Sequence, residues 1–392
     1  MLDTGGSRSR KGASRRACRC GWALAGLLLA TPQLRAEAPP AGAAWPVFRG
    51  DAALSGHTAT ALPSAPGTRW SVRFAASCKS SPVVADGRIF IGGDDRVFCF
   101  DPTTGATQWV FEAKADVEAP PLAVGGRVVV GTAAGGIHAL RAADGSALWS
   151  AKAEDRVLGS ANAAGPDATR LFVGAYDNVL RCLDLATGET VWSFEAGNYI
   201  NGAPAVADGR VIFGGCDAQL RILGADDGAE QAAVETGSYI ASSPAVTAGT
   251  AYVGNVEGVL TAVDLASGTS RWTVDAGAAG AEIFGSPAVG GGRVVVGDRR
   301  GRVRCFDAGD GRPLWTFKAG GDVDSPPVIA GGAVVFGSAD GRVYAVRLDD
   351  GREIWRREIG GRISCSPAVI PGAVLVATED GWLHALGDAG NP

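Results

Sequence analysis

The chain is poor in the residues that usually carry chemistry. Its 392 residues include three histidines and one methionine. His57, His138 and His384 lie far apart, and no cluster has the spacing of zinc ligands. None of the eight cysteines adjoins another, and no Trp-Asp pair occurs. The acidic turns Asp94-Asp95, Asp177-Asn178, Asp340-Gly341 and Glu379-Asp380 each bring too few oxygens for a hard cation. They read as hairpin residues, so no metal site is expected, and no nucleophile with a neighbouring base stands out. The apolar run at residues 22–30 is too short to span a bilayer. Positive charge is also scarce: residues 1–38 hold seven basic and two acidic groups, which leaves the remainder near −10 against −5 for the whole chain. Such a surface repels phosphate backbones and argues against a nucleic-acid partner.

Glycine is abundant, with 58 residues and no collagen period, which points to many tight turns between short strands. The segment DLATGETVW at 184–192 repeats with decay along the chain. Its tryptophan slot is filled by Trp70, Trp109, Trp149, Trp192, Ala232, Trp272, Trp315 and Trp355, at intervals of 39, 40, 43, 40, 40, 43 and 40 residues. A period near 40 sustained over this length defines a repeat architecture.

Residues 1–38 stand outside the repeat. A basic stretch runs into the apolar run and then into Ala36-Glu37-Ala38, which reads as a secretory signal peptide with a small-residue cleavage site. Ser14-Arg15-Arg16 raises twin-arginine export, but Cys18 sits where that signal wants a large apolar residue, so ordinary export is favoured. Cys18 and Cys20 precede the apolar run, so no lipidated cysteine is expected. The mature chain is expected in the periplasm or medium, without a transmembrane segment. Residues 39–68 carry no period and read as an extended arm pinned to the body by Trp45 and Phe48.

Within one period the residues sort into four runs of β-branched and aromatic residues bounded by Gly or Asp: SSPVVA, RIFIG, RVFCF and QWVFE in the first unit. Asp86-Gly87 between the first two favours a tight hairpin. Four antiparallel strands per period make a propeller blade. Pro82, Pro121, Pro204, Pro244, Pro287, Pro327 and Pro367 share one slot of the first strand, with Ala161 the exception. A proline belongs at a sheet edge, so this strand lines the central channel and the Trp strand forms the rim. The eighth unit lacks a Trp strand while residues 69–74 supply one without a blade. Joining them closes the ring. The prediction is an all-β, eight-bladed β-propeller of four-stranded antiparallel blades over residues 69–387, with a tail at 388–392.

The pattern of Cys182, Asp184, Thr187-Gly188 and Trp192, with SSPAV at 242–246, resembles the tryptophan-docking repeat of PQQ-type propellers, which include quinoprotein dehydrogenases and BamB-type outer-membrane assembly factors. The resemblance covers residues 69–387 and implies the fold. The dehydrogenases hold pyrroloquinoline quinone (PQQ) and calcium beneath a pair of adjacent cysteines, which this chain lacks, and their long insertions are missing too. The reading preferred is therefore a cofactor-free, non-catalytic scaffold for envelope proteins, and the alternative is a small PQQ-dependent quinoprotein oxidoreductase.

Candidate binding residues come from what varies while the scaffold repeats. Three residues before each Pro slot the ring reads Lys79, Glu118, Leu158, Asn201, Ala241, Phe284, Asp324, Ser364. Five before it, the ring reads Ser77, Asp116, Arg156, Tyr199, Tyr239, Glu282, Asp322, Arg362. Loops on one face of a rigid propeller are where binding concentrates. Lys79, Glu118, Tyr199, Asn201, Tyr239, Glu282, Phe284 and Asp324 are the candidates, with Tyr199, Tyr239 and Phe284 as an apolar anchor flanked by acids. Cys99, Cys182 and Cys305 occupy a slot for a small buried side chain, whereas Cys78 and Cys365, brought together by ring closure, form a candidate disulfide. Cys216 has no evident partner, and His138 and His384 share one strand slot and read as packing residues.

Overall fold

A computed structural model describes residues 44–164, 168–276 and 281–388. The expected signal peptide and the end of the tail lie outside these residues, as does most of the loop at 278–282. Eight four-stranded antiparallel blades follow one another along the chain, the first seven ordered by sequence from the channel outwards. Blade 4 is typical: Ala205–Ala207, Arg210–Gly214, Gln219–Gly224 and Glu230–Glu235 pair in succession. The innermost strands are three residues long or shorter and begin directly after the Pro slot, as Val83–Ala85 does after Pro82. Asp86 and Gly87 both take positive φ, of 50° and 67°, which is the turn that Asp-Gly predicts.

Ring closure occurs as expected, with a small shift of bounds. Gly67–Arg73, rather than 69–74, pairs with Trp382–Gly387 as the outer strand of blade 8.

The tryptophans dock each blade onto the next. The indole N–H of Trp149 donates to Leu185 O at 3.0 Å, and those of Trp70, Trp109, Trp192, Trp272 and Trp315 donate likewise to Pro102, Ala142, Ala225, Ala308 and Leu348. The ring lies flat on the glycine of the neighbouring turn: a Cβ on Gly188, whose φ is +78°, would sit 2.5 Å from Trp149 Cε3. That glycine is therefore required twice, for its backbone and for its lack of a side chain. Asp184 shapes the same turn by accepting the N–H groups of Ala186 and Thr187, and these bonds hold its carboxyl below the ordinary carboxylate range. At the Ala232 slot Gly268 faces only a methyl group. Trp355 finds its acceptor in Pro63 O at 2.9 Å, across the closure of the ring.

The segment expected as an extended arm is instead a re-entrant loop inside the channel. Trp45 pairs antiparallel with Val84 of blade 1, and His57–Thr58 pairs parallel with Val328–Ala330 of blade 7, giving that sheet a fifth strand. Innermost strands run from the loop face to the hairpin face, so the segment enters and leaves through the hairpin face. Trp45, Val47 and Leu54 are buried as anticipated for Trp45, and Phe48 is half-buried.

Candidate functional site

The D-to-A loops converge on one mouth of the channel. All eight residues three before the Pro slot, from Lys79 round to Ser364, line a single cavity of about 180 Å³, and Phe48 at the apex of the re-entrant loop also lines it. Beneath that ring stand Ser81, Ser160, Ser243 and Ser286. Three of these serines join blades: Ser243 Oγ accepts Ala203 N at 2.8 Å, Ser286 Oγ accepts Ser243 N at 3.0 Å, and Ser81 Oγ accepts Ser366 N at 2.9 Å.

Of the eight candidates, Lys79, Glu118, Asn201, Phe284 and Asp324 line the cavity, while Tyr199, Tyr239 and Glu282 lie outside its lining. The anchor expected from Tyr199, Tyr239 and Phe284 is thus divided. Phe284 lies in the cavity wall with the Arg299 guanidinium 3.6 Å from its ring centroid. Tyr199 stacks on Tyr176 at 5.0 Å, and Arg156 lies over the Tyr176 ring at 5.5 Å. Tyr199 and Tyr239 are exposed large apolar side chains at this mouth, at 45% and 57% exposure. Tyr176 and Arg299 were missed because both belong to turns between the second and third strands, which return to the mouth only when the blade folds.

The charged candidates are paired. Lys79 meets Glu118 at 3.1 Å. Asp324 is held by two arginines, Arg299 Nε and Arg362 Nη2, each at 2.9 Å. Arg299 also reaches Glu282, and Arg362 reaches Asp322 and Glu379. Burial would lower the Arg299 pKa, but the bonds to Asp324 and Glu282 outweigh it and raise the value. Blades 6 to 8 therefore close their side of the mouth with a charge network, whereas blades 3 to 5 present tyrosine. Asn201 donates to Cys216 Sγ at 2.8 Å, and burial raises that thiol's pKa against the help of Asn201. A second pocket, of about 210 Å³, opens between blades 1 and 2 and is lined by Ser77, Lys79, Asp94, Asp116, Val117 and Glu118.

The acidic turns serve the fold. Asp94 accepts the N–H groups of Ala76 and Ser77 at 2.9 Å, Asp177 accepts that of Glu154 and pairs with Arg181, and Asp340 accepts the Tyr344 hydroxyl at 2.5 Å. Each fastens either the incoming loop or its own hairpin. Among the described residues no three His, Cys, Asp or Glu side chains converge as metal ligands. His138 bonds Ser150 Oγ at 3.0 Å and His384 stacks on Trp382, and burial lowers both pKa values. Cys99, Cys182 and Cys305 are buried. The candidate disulfide is corrected: Cys78 and Cys365 are free thiols, each facing carbonyls of its own blade, Gly92 O at 3.4 Å and Ala377 O at 3.0 Å.

Among the described residues no helix is long and apolar enough to cross a membrane. The family model described as "Outer membrane protein assembly factor BamB" matches residues 58–164, 133–280 and 256–391. The BamB protein of Nitrosomonas eutropha is 29% identical over 130 residues, which cover 32% of this chain and 31% of that one. The serine/threonine-protein kinase AfsK of Streptomyces coelicolor is 35% identical over 123 residues, 30% of this chain and 15% of the kinase. The matched stretches thus span less than a third of either relative. Among solved structures, BamB from Moraxella catarrhalis superposes with a TM-score of 0.70 at 20% identity, covering 83% of this chain and 100% of that one. The quinohemoprotein alcohol dehydrogenase of Comamonas testosteroni gives 0.75 at 14% identity, with 89% and 81% covered. At these identities the two structures share the fold alone with this protein. Because the family model runs through nearly all of the repeat region, the chain belongs to the PQQ-like propeller family described as outer membrane protein assembly factor BamB.

Proposed function

We propose that this protein is an exported, non-catalytic scaffold that works in outer-membrane protein assembly, binding envelope proteins through the loop face. The observation that carries the reading is the asymmetry of the mouth: Tyr199 and Tyr239 stand exposed over blades 4 and 5, beside a sector sealed by the Arg299–Asp324–Arg362 network. Rigid aromatic side chains at the centre of a patch, flanked by charge, are the usual source of binding energy in protein interfaces. The family match supports the assembly role, and the basic and apolar stretches of residues 1–38 support export to the periplasm.

The competing reading is a quinoprotein oxidoreductase, favoured by the shared fold with alcohol dehydrogenases. Against it, Glu118 is already paired with Lys79 and Asp324 with Arg299, and Phe48 takes up part of the same cavity. Titrating purified protein with PQQ and calcium separates the two readings. The scaffold reading expects neither quinone retention on gel filtration nor dye-coupled alcohol oxidation, and tight binding with turnover would sink it. In parallel, Tyr239→Ala with Tyr199→Ala is expected to lose envelope partners that Asp86→Ala, on the opposite face, retains.

A further inference from the structure

The innermost strand of a propeller blade is a sheet edge, and its channel-facing N–H groups need acceptors. In this protein the acceptors come from one short segment. Val84 N donates to Trp45 O, Ala123 N to Pro46 O, Val206 N to Ala52 O, Val246 N to Ala53 O, Val289 N to Ser55 O and Ile329 N to Gly56 O, at 2.7–2.9 Å. Each donor is the second residue after its Pro slot, so one repeated backbone position reads one segment. Blade 3 breaks the pattern in a matching way. Its slot holds Ala161 rather than proline, Asn162 Oδ1 caps Ala163 N at 2.7 Å, and Asn162 Nδ2 donates to Ala52 O at 2.7 Å. Blade 8 is reached by a side chain: Arg49, fully buried, donates to Ser366 Oγ at 3.1 Å and to Pro287 O of blade 6 at 2.8 Å. Residues 45–56 thereby bond to all eight blades.

From this geometry we propose that the hairpin-side half of the channel is a peptide-recognition site for an arginine-bearing looped segment, filled in this chain by its own residues 45–58. The segment is an intramolecular ligand whose occupancy clasps the ring and brings Phe48 into the lining of the cavity at the loop face. Arg49 is the selective element. Its guanidinium spans blades 6 and 8, Gly56 packs against it so closely that a Cβ there would lie 1.9 Å from Nη2, and Asp51 supplies the opposing charge. Burial pushes the Arg49 pKa down to about 9, which still leaves the guanidinium charged at neutral pH. The backbone carbonyls give affinity without reading sequence, as in strand addition, and the arginine seat gives specificity.

The test uses the full chain with a protease site inserted between Ser64 and Ala65, both exposed and downstream of the segment. After folding and cleavage, the segment is held only non-covalently. The expected result is that it co-elutes with the ring, and that an excess of labelled synthetic peptide of residues 44–58 exchanges into the ring one for one. The same peptide carrying Arg49→Ala is expected to compete roughly ten- to a hundredfold less well, as the loss of charged hydrogen bonds implies. If the ring unfolds once the segment leaves, peptide supplied in excess before cleavage must keep it folded. The proposal is overturned if the segment elutes apart while the ring keeps its Tm, if the Arg49→Ala peptide competes as well as the parent, or if excess peptide does not protect a ring that unfolds.

Discussion

Restoring the missing tryptophan with Ala232→Trp is a direct test of how the blades are held together. In the six other inter-blade docks with a turn glycine, the indole covers that glycine and donates to a carbonyl of the next blade, as Trp192 does to Ala225 O at 3.2 Å. The matching parts are in place at the empty slot: Gly268 has φ +65° and faces Ala232, and Leu265 occupies the acceptor position. Docked tryptophans stay partly exposed, so the substitution buries about 100 Å² of additional apolar surface, or about 2.5 kcal/mol. Ordering the side chain costs about 1 kcal/mol and the indole hydrogen bond returns about 1 kcal/mol. The net gain is about 2.5 kcal/mol, a rise in Tm of roughly 3–5 °C for a protein of this size. The converse, Trp192→Ala, is expected to cost about 2–4 kcal/mol. Urea unfolding followed by both tryptophan fluorescence and far-UV circular dichroism measures both changes and exposes any intermediate. A lower midpoint for Ala232→Trp together with an unchanged midpoint for Trp192→Ala would refute the docking argument.

Three further outcomes follow from other parts of the structure. Gly188→Ala combines a φ of +78° with a contact 2.5 Å from the Trp149 ring, so it is expected to cost roughly 2–3 kcal/mol by thermal unfolding, whereas alanine at Gly87, where no atom lies within 4 Å, meets only the backbone penalty. His138 and His384 are held below their ordinary value of 6.5 by burial. The unfolded chain takes up protons at 6.5 while the folded chain resists until lower pH, so stability is full above 6.5 and declines as pH falls through the window beneath it. Tm measured from pH 7.5 to 5 should fall, and His138→Gln with His384→Gln should flatten that part of the decline. Thiol labelling of the native protein should modify Cys216 ahead of the other described cysteines, because it alone is not buried, while burial pushes Cys99, Cys305 and Cys365 up to about 12. Mass spectrometry that found Cys99 or Cys305 labelled first would contradict the core assignment.

The blades were legible because their constraints repeat in side chains. Trp docking, the Gly turn and the Pro edge each recur in most units, so the strand order and the closure by the N-terminal strand follow from spacing. The cavity ring was legible for the same reason, since an offset of three from the Pro slot is a fixed place on every blade. The re-entrant loop was not, because it is held mainly by backbone carbonyls that leave no mark on the sequence; Arg49 and Asn162 bond it to the channel wall through side chains, and each is intelligible only once the channel is known. The mouth was half legible. Tyr199 and Tyr239 were found by position, but the stack of Tyr199 on Tyr176 and the seat of Arg299 on Phe284 depend on how turns from adjacent blades meet.

The scaffold reading is tested most directly by site-specific photocrosslinking in the intact envelope, with a benzophenone amino acid in place of Tyr239, Tyr199 or Asp86. Tyr239 and Tyr199 are on the loop face, and Asp86 lies in a hairpin at the opposite end of the channel. The account predicts the same component of the outer-membrane assembly machinery captured at both tyrosine positions and absent at Asp86. Capture at Asp86 with none at Tyr239 or Tyr199 would contradict it.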